Sequence, residues 1–131
     1  MRILIVEDDF GSRKLLQNLL SVYGECDIAV DGEEAVDAFK LAWKEKSPYA
    51  LICMDIMMPK INGQEALKLI REYERQHDIK PSEEVKVIMT TVLDDPKNVI
   101  EALYKGGASA YIVKPIEKEK LIKEIEELGL T

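Results

Sequence analysis

Five short apolar runs, each followed by a segment with helical spacing, constrain this chain more than any other feature. Arg2 to Val6, Cys26 to Val30, Leu51 to Met54, Val85 to Thr91 and Ala110 to Val113 read as strands. Ser12 to Val22 carries Leu15, Leu16, Leu19 and Leu20 at helical spacing, and Gly24 reads as its stop. Asp31-Gly32-Glu33-Glu34 opens a second helix, with acids in the first turn where the helix dipole favours them. Its inner face is Ala35, Val36, Phe39 and Trp43, and Ser47-Pro48 ends it. A third helix starts at Gln64 and runs through Ala66, Leu67, Leu69 and Ile70. It is expected to fray in the charged stretch from Arg71 to His77 and to give way to a polar loop over 78–84. Asp94-Asp95-Pro96 signals a fourth helix, with Val99, Ile100, Ala102 and Leu103 as its apolar face and Gly106-Gly107 as its end. A last helix from Glu117 to Leu128 buries Leu121, Ile122 and Ile125 and stops near Gly129. Strand and helix alternate five times, which predicts an α/β fold: a (βα)5 three-layer sandwich with helices on both faces of a parallel sheet. Right-handed crossovers leave few strand orders, and 2-1-3-4-5 is a common one.

The bulk numbers agree with that reading. At 131 residues the chain fits one domain, 1–131, with enough length to bury a core. No apolar run approaches the roughly 20 residues that a membrane span needs. The N-terminus lacks the apolar region and cleavage site of a signal peptide. Cys26 and Cys53 lie in apolar segments without metal-ligand spacing, which predicts buried thiols in a reducing cytoplasm. A net charge of −7 argues against direct nucleic-acid binding, which needs a basic footprint. The single histidine, His77, excludes a histidine metal cluster and is expected on the surface.

In the 2-1-3-4-5 order the carboxyl ends of strands 1, 3, 4 and 5 converge on the crevice where open α/β sheets bind ligands. Those ends carry Asp8 and Asp9, then Asp55, then Thr90 and Thr91, then Lys114. Each residue alone has an ordinary explanation as a helix cap, a β-branched strand residue or a surface lysine. Together they place three acids in one crevice, where two unit charges at about 4 Å repel by roughly 4 kcal/mol at an effective dielectric near 20. Such a cluster calls for a hard cation, and Mg²⁺ accepts carboxylates while leaving room for waters and a phosphate. With the charge neutralised, Asp55 is an acceptable nucleophile for a phosphoryl group. Lys114 is suited to hold a phosphate oxygen as a point charge, and a threonine hydroxyl to donate to another.

The segments Ile5 to Asp9, Met54 to Pro59, Asn62-Gly63, Val87 to Thr91, Gly107-Ala108 and Tyr111 to Pro115 span nearly the whole chain. In that order they resemble the receiver domains of two-component response regulators. The resemblance implies a flavodoxin-like fold and a cytoplasmic phosphoprotein of a phosphorelay, in which Asp55 becomes 4-aspartylphosphate by transfer from a sensor histidine kinase. By position it makes Asp9 and Asp55 direct Mg²⁺ ligands with the backbone carbonyl of Met57, and puts Asp8 in the outer shell. Thr91 stands where the family has its switch hydroxyl, with Thr90 as the neighbouring candidate. Tyr111 matches the aromatic that changes rotamer on activation, and Lys114 the family's lysine.

Val92 departs from the family's usual small residue after the switch position, and the stretch from Glu72 to Glu84 is longer than usual. No output domain follows Leu128, so a stand-alone receiver of the chemotaxis type is expected. Such a protein is a switch, not an enzyme. It would be a monomer or a weak phosphorylation-linked dimer whose fourth helix, fifth strand and fifth helix bind a downstream target or a phosphotransfer protein. The runner-up is a Mg²⁺-dependent phosphatase of the haloacid dehalogenase type, but it needs a general acid two residues after the nucleophile, where Met57 stands. An FMN carrier needs a glycine- and hydroxyl-rich phosphate loop after strand 1, where Glu7-Asp8-Asp9 would repel the phosphate. A receiver that folds but is never phosphorylated is opposed only by the intact acid set.

Overall fold

Alternate residues along each inner strand face opposite sides of one sheet, and both sides are covered. The computed structural model describes residues 1–58, 60–92, 97 and 107–131. The strands are β1 Arg2–Val6, β2 Glu25–Ala29, β3 Leu51–Asp55, β4 Lys86–Thr91 and β5 Ala110–Val113. All pair in parallel, in the order β2-β1-β3-β4-β5. Among the described residues the α-helices are α1 Phe10–Leu20, α2 Gly32–Lys44, α3 Gly63–Gln76 and a C-terminal helix, Lys118–Glu127. The expected topology is therefore the observed one. The helix signalled by Asp94 to Pro96, its apolar face and its Gly106 end lie outside the described residues.

Ile3 and Ile5 pack with Cys53, Ile88 and Ile112 under α1 and the C-terminal helix, through Leu16, Leu20, Leu121 and Ile125. Leu4 and Val6 point the other way and pack with Ile52, Met54, Val87 and Met89 under α2 and α3, through Phe39, Leu67 and Ile70. A strand apolar on both faces is the signature of a sheet covered on both sides, and this is why β1 and β3 read as continuous apolar runs.

Most boundaries fall within two residues of expectation, and two of the differences have a clear local reason. Helix α1 begins at Phe10 rather than Ser12, because Asp9 caps it: its Oδ2 accepts the Ser12 N–H at 2.8 Å. Helix α3 does not fray at Arg71. Tyr73 sets its ring edge-on against Phe39, with centroids 5.7 Å apart. Glu74 is fully buried, paired with Arg71 at 2.7 Å and accepting the Val85 N–H at 2.9 Å. His77 is exposed, as expected, but stacks on Tyr73 at 3.9 Å and occupies the helix C-cap. A short 3-10 turn, Pro81–Glu83, carries the chain from there toward β4. No helix among the described residues is long and apolar enough to cross a membrane.

Candidate functional site

The register of the sheet assembles the site. Val6 pairs with Met54, Asp55 with Thr90, and Thr91 with Val113, so the residues that end β1, β3, β4 and β5 become neighbours. The Ile56 N–H donates to the Thr90 carbonyl at 3.0 Å, and the Lys114 N–H to that of Thr91 at 2.6 Å. Those backbone bonds carry the ladder one step past the strand ends and hold Asp55 and Lys114 in place.

The loop after Asp55 is held just as closely. Asn62 caps α3 through a reciprocal box: its side chain accepts the Glu65 N–H at 2.9 Å, and the Glu65 carboxylate accepts the Asn62 N–H at 3.2 Å. Gly63 follows because a Cβ there would run into the Asp55 carbonyl and the Met89 side chain. The Asn62-Gly63 pair is thus a helix start with a close backbone approach. The Asn-x-x-Glu spacing in the sequence was the signal for it.

Three carboxylates come together, but the two that follow β1 stand one residue earlier in the chain than expected. Glu7, Asp8 and Asp55 each bring an oxygen within 4.8 Å of the other two. Asp9, expected as a direct ligand, is drawn off to cap α1, where the Ser12 backbone bond holds its carboxyl below the ordinary range. The physical reason is the length of β1. The strand ends at Val6, so Glu7 and Asp8 occupy its mouth, while Asp9 already belongs to the helix. Glu7 has no place in the expected metal set, yet it is fully buried, whereas Asp8 is exposed.

Lys114 Nζ lies 2.9 Å from Glu7 Oε1 and 3.1 Å from Asp55 Oδ2. The other oxygen of Asp55 accepts the Met57 N–H at 3.2 Å. Burial and the neighbouring Asp55 push the Glu7 carboxyl up to about 7 against the pull of Lys114. Burial works against the Lys114 ammonium, but its two carboxylate partners outweigh that and raise it. Glu7 Oε2 is buried without a hydrogen-bond partner among the described residues. An all-oxygen cluster with a buried unsatisfied carboxylate oxygen fits a hard divalent cation such as Mg²⁺.

Both threonines are buried. Among the described residues, Thr91 Oγ1 makes a long bond to the Val92 carbonyl at 3.4 Å and Thr90 Oγ1 has no partner. Tyr111 is turned outward and 40% exposed. Met57 is 61% exposed beside the cluster, and Phe10 is 67% exposed at the start of α1. A cavity of about 310 Å³ between α1 and Lys114 is lined by Asp9, Ser12, Leu15 and Ile116 among others. Leu93 and Pro59 lie outside the described residues.

A family model described as the response regulator receiver domain matches residues 3–126. The chain is 32% identical over 128 residues to the chemotaxis protein CheY homolog of Campylobacter jejuni, covering 98% of this chain and 92% of that protein. It spans about half the length (47% and 49%) of two curated transcriptional regulators that it matches at 33% identity. Among solved structures it superimposes, at a TM-score of 0.82 and 30% identity, on a co-crystal structure from Saccharomyces cerevisiae. That crystal contains the phosphotransfer protein Ypd1 and the receiver domain of the response regulator Ssk1; the match covers 98% of this chain and 88% of that one. A CheX–CheY complex with BeF3 and Mg²⁺ from Borrelia burgdorferi matches at a TM-score of 0.82 and 28% identity, covering 100% of this chain and 90% of that one.

Proposed function

The chain belongs to the response regulator receiver domain family, and from that premise we propose that it is a cytoplasmic phosphoacceptor switch working at Asp55. An Asp55 carboxylate oxygen attacks the phosphorus of a histidine kinase's phosphohistidine. The P–N bond breaks, and the imidazole leaves with a proton from solvent. The observation that carries this reading is the position of Lys114 Nζ between Glu7 Oε1 and Asp55 Oδ2. There it orients the nucleophile before transfer and is ready to pair with a phosphoryl oxygen after it. Thr91 donates its hydroxyl to another phosphoryl oxygen, exchanging its long bond to Val92 for a charge-assisted one. Asp8, Asp55 and the Met57 carbonyl, with Glu7 behind them, are the groups that would hold Mg²⁺, which supplies the positive charge that the entering phosphoryl group needs.

Incubation with acetyl phosphate and Mg²⁺ tests this directly. Intact-mass spectrometry should detect one phosphoryl adduct in the wild type and none in Asp55→Asn. An adduct that survives in Asp55→Asn would overturn the assignment. Partners follow from the same switch. The kinase or a phosphotransfer protein docks over the apolar rim of Phe10, Leu15 and Met57, and a downstream protein reads the surface around Tyr111. That downstream protein must bind the beryllofluoride-loaded and free forms unequally, because a ligand shifts only an equilibrium whose states it discriminates.

Phosphoryl lifetime is the finer point. Hydrolysis needs a water in line with the phosphorus opposite Asp55, and positioning is most of that catalysis. The exposed Met57 side chain offers no hydrogen bond to such a water and shields the phosphoryl group, and Leu93, two residues beyond Thr91 in the sequence, brings no polar group either. Phospho-Asp55 should therefore decay slowly after donor removal, and Met57→Asn with Leu93→Glu should speed the loss seen on a phosphate-affinity gel. Equal decay in wild type and double variant would remove the shielding argument.

A further inference from the structure

The opposite end of the sheet holds a second concave surface that the phosphoacceptor chemistry leaves unused. Two cavities meet at the amino-terminal ends of β3 and β4, sharing Glu84 and Lys86 as a common wall. One, of about 380 Å³, is lined by Arg71 and Arg75; the other, of about 330 Å³, by Trp43 and Pro48. Each is of the size that small-molecule sites occupy.

Their linings are complementary in kind. The chain carries a net charge of −7, yet the first cavity gathers Arg71, Arg75 and Lys86 against the single acid Glu84. Arg71 is rigidly mounted. Its Nε and Nη2 donate to the Gly107 carbonyl at 3.1 and 2.9 Å, and its Nη1 to Glu74 at 2.7 Å. A guanidinium has five N–H donors, so two remain for another acceptor. Arg75 and Lys86 have no ion pair or side-chain hydrogen bond among the described residues. Arg71 and Arg75 stand four residues apart on α3 and so share one face of it; Glu74 neutralises Arg71 and leaves Arg75 without a counter-ion among the described residues. The second cavity is lined by Pro48, Ala50 and the half-buried Trp43, whose indole N–H has no partner among the described residues.

A basic pocket and an indole-lined one that share a carboxylate match one ligand chemistry. We propose that the joined cavities bind a nucleoside monophosphate. The phosphate sits on Arg75 and Lys86 beside the fixed Arg71, Glu84 accepts from the ribose hydroxyls, and the base lies against Trp43. A polynucleotide is disfavoured, because the rest of the surface is acidic and would repel its other phosphates. The longer segment between α3 and β4 gains a use in this way: its 3-10 turn contributes Pro81 and brings Glu84 to the shared wall.

Trp43 is the only tryptophan in the chain, so its fluorescence reports on the site alone. Titrations of AMP and GMP into the protein are made in EDTA, so that Mg²⁺-dependent binding at Asp55 does not contribute. Adenosine and ribose 5-phosphate serve as half-ligand arms. At least one nucleotide should quench the emission saturably, with each half-ligand about tenfold weaker or worse, the effect of losing one charge-assisted contact. Arg75→Gln with Lys86→Gln, both at solvent-accessible positions, should weaken the nucleotide by at least as much while leaving the melting temperature unchanged. Asp55→Asn should bind like wild type, so this inference and the phosphoacceptor reading stand or fall separately. No saturable change with AMP, GMP, CMP or UMP overturns the proposal, as does quenching by adenosine equal to that by AMP, or an undiminished response in the double variant.

Discussion

Two buried glutamates, each paired with a cation, sit at opposite ends of the same sheet and are finished to different degrees. Glu74 is complete: one oxygen pairs with Arg71 and the other accepts the Val85 N–H. Arg71 in turn closes on the Gly107 carbonyl, so one ion pair fastens α3 to the start of β4 and to the turn before β5. Glu7 is incomplete. One oxygen pairs with Lys114, and the other is buried with nothing to bond. A satisfied network holds one arrangement firmly, whereas a half-satisfied one in low dielectric is costly and ready to exchange partners. The first is therefore a fastening, and the second a site that ligands or phosphorylation can complete.

The largest expected effect breaks the fastening. Glu74→Ala leaves Arg71 and the Val85 N–H without their shared acceptor, and removing one member of a buried pair costs roughly 3–5 kcal/mol. Urea denaturation should register the loss in full, because the Arg71 side chain is only 13% exposed. A loss below about 1 kcal/mol, the level of an exposed pair, would erase the contrast between the two glutamates.

Glu7 should behave in the opposite sense. Its carboxyl is pushed up to about 7 in the folded protein from an ordinary 4.5. Between those values the folded state binds more protons than the unfolded one, so this group makes stability fall as pH rises through that window. At about 1.4 kcal/mol per pKa unit the decline from 4.5 to about 7 is at most about 3.5 kcal/mol for the metal-free protein. Glu7→Gln should flatten the slope and raise stability at pH 8, and millimolar Mg²⁺ should do much the same for wild type by binding only the folded state. Melting curves from pH 5 to 8, with and without Mg²⁺, measure both effects. A wild type whose pH slope matches that of Glu7→Gln would show that the cluster is not strained.

The smallest effect separates scaffold from chemistry within the site itself. Asn62→Ala removes the α3 cap and should cost about 1 kcal/mol. It should also slow phosphorylation of Asp55, because the capped turn fixes the loop that carries the Met57 N–H to the Asp55 carboxylate. If stability drops while the rate of acetyl phosphate labelling holds, the loop is positioned without the cap.

What the sequence by itself determined is everything governed by local periodicity. Strand–helix alternation, both faces of β1 and β3 apolar, and the arrival of Asp55 and Lys114 at strand ends all follow from residue spacing of two or 3.6. Handed crossovers leave few parallel orders, of which β2-β1-β3-β4-β5 is a common one and the one observed. Tertiary structure decided which acids share the crevice. That depended on β1 ending at Val6, and on Ser12 offering Asp9 a backbone N–H as a competing partner. It also decided that charged residues in α3 would extend the helix rather than fray it. Arg71 meets Gly107 across 36 residues of sequence, and Glu74 meets Val85 across 11. A charged stretch reads as solvated until a partner distant in the chain arrives to satisfy it, and no local pattern records that arrival.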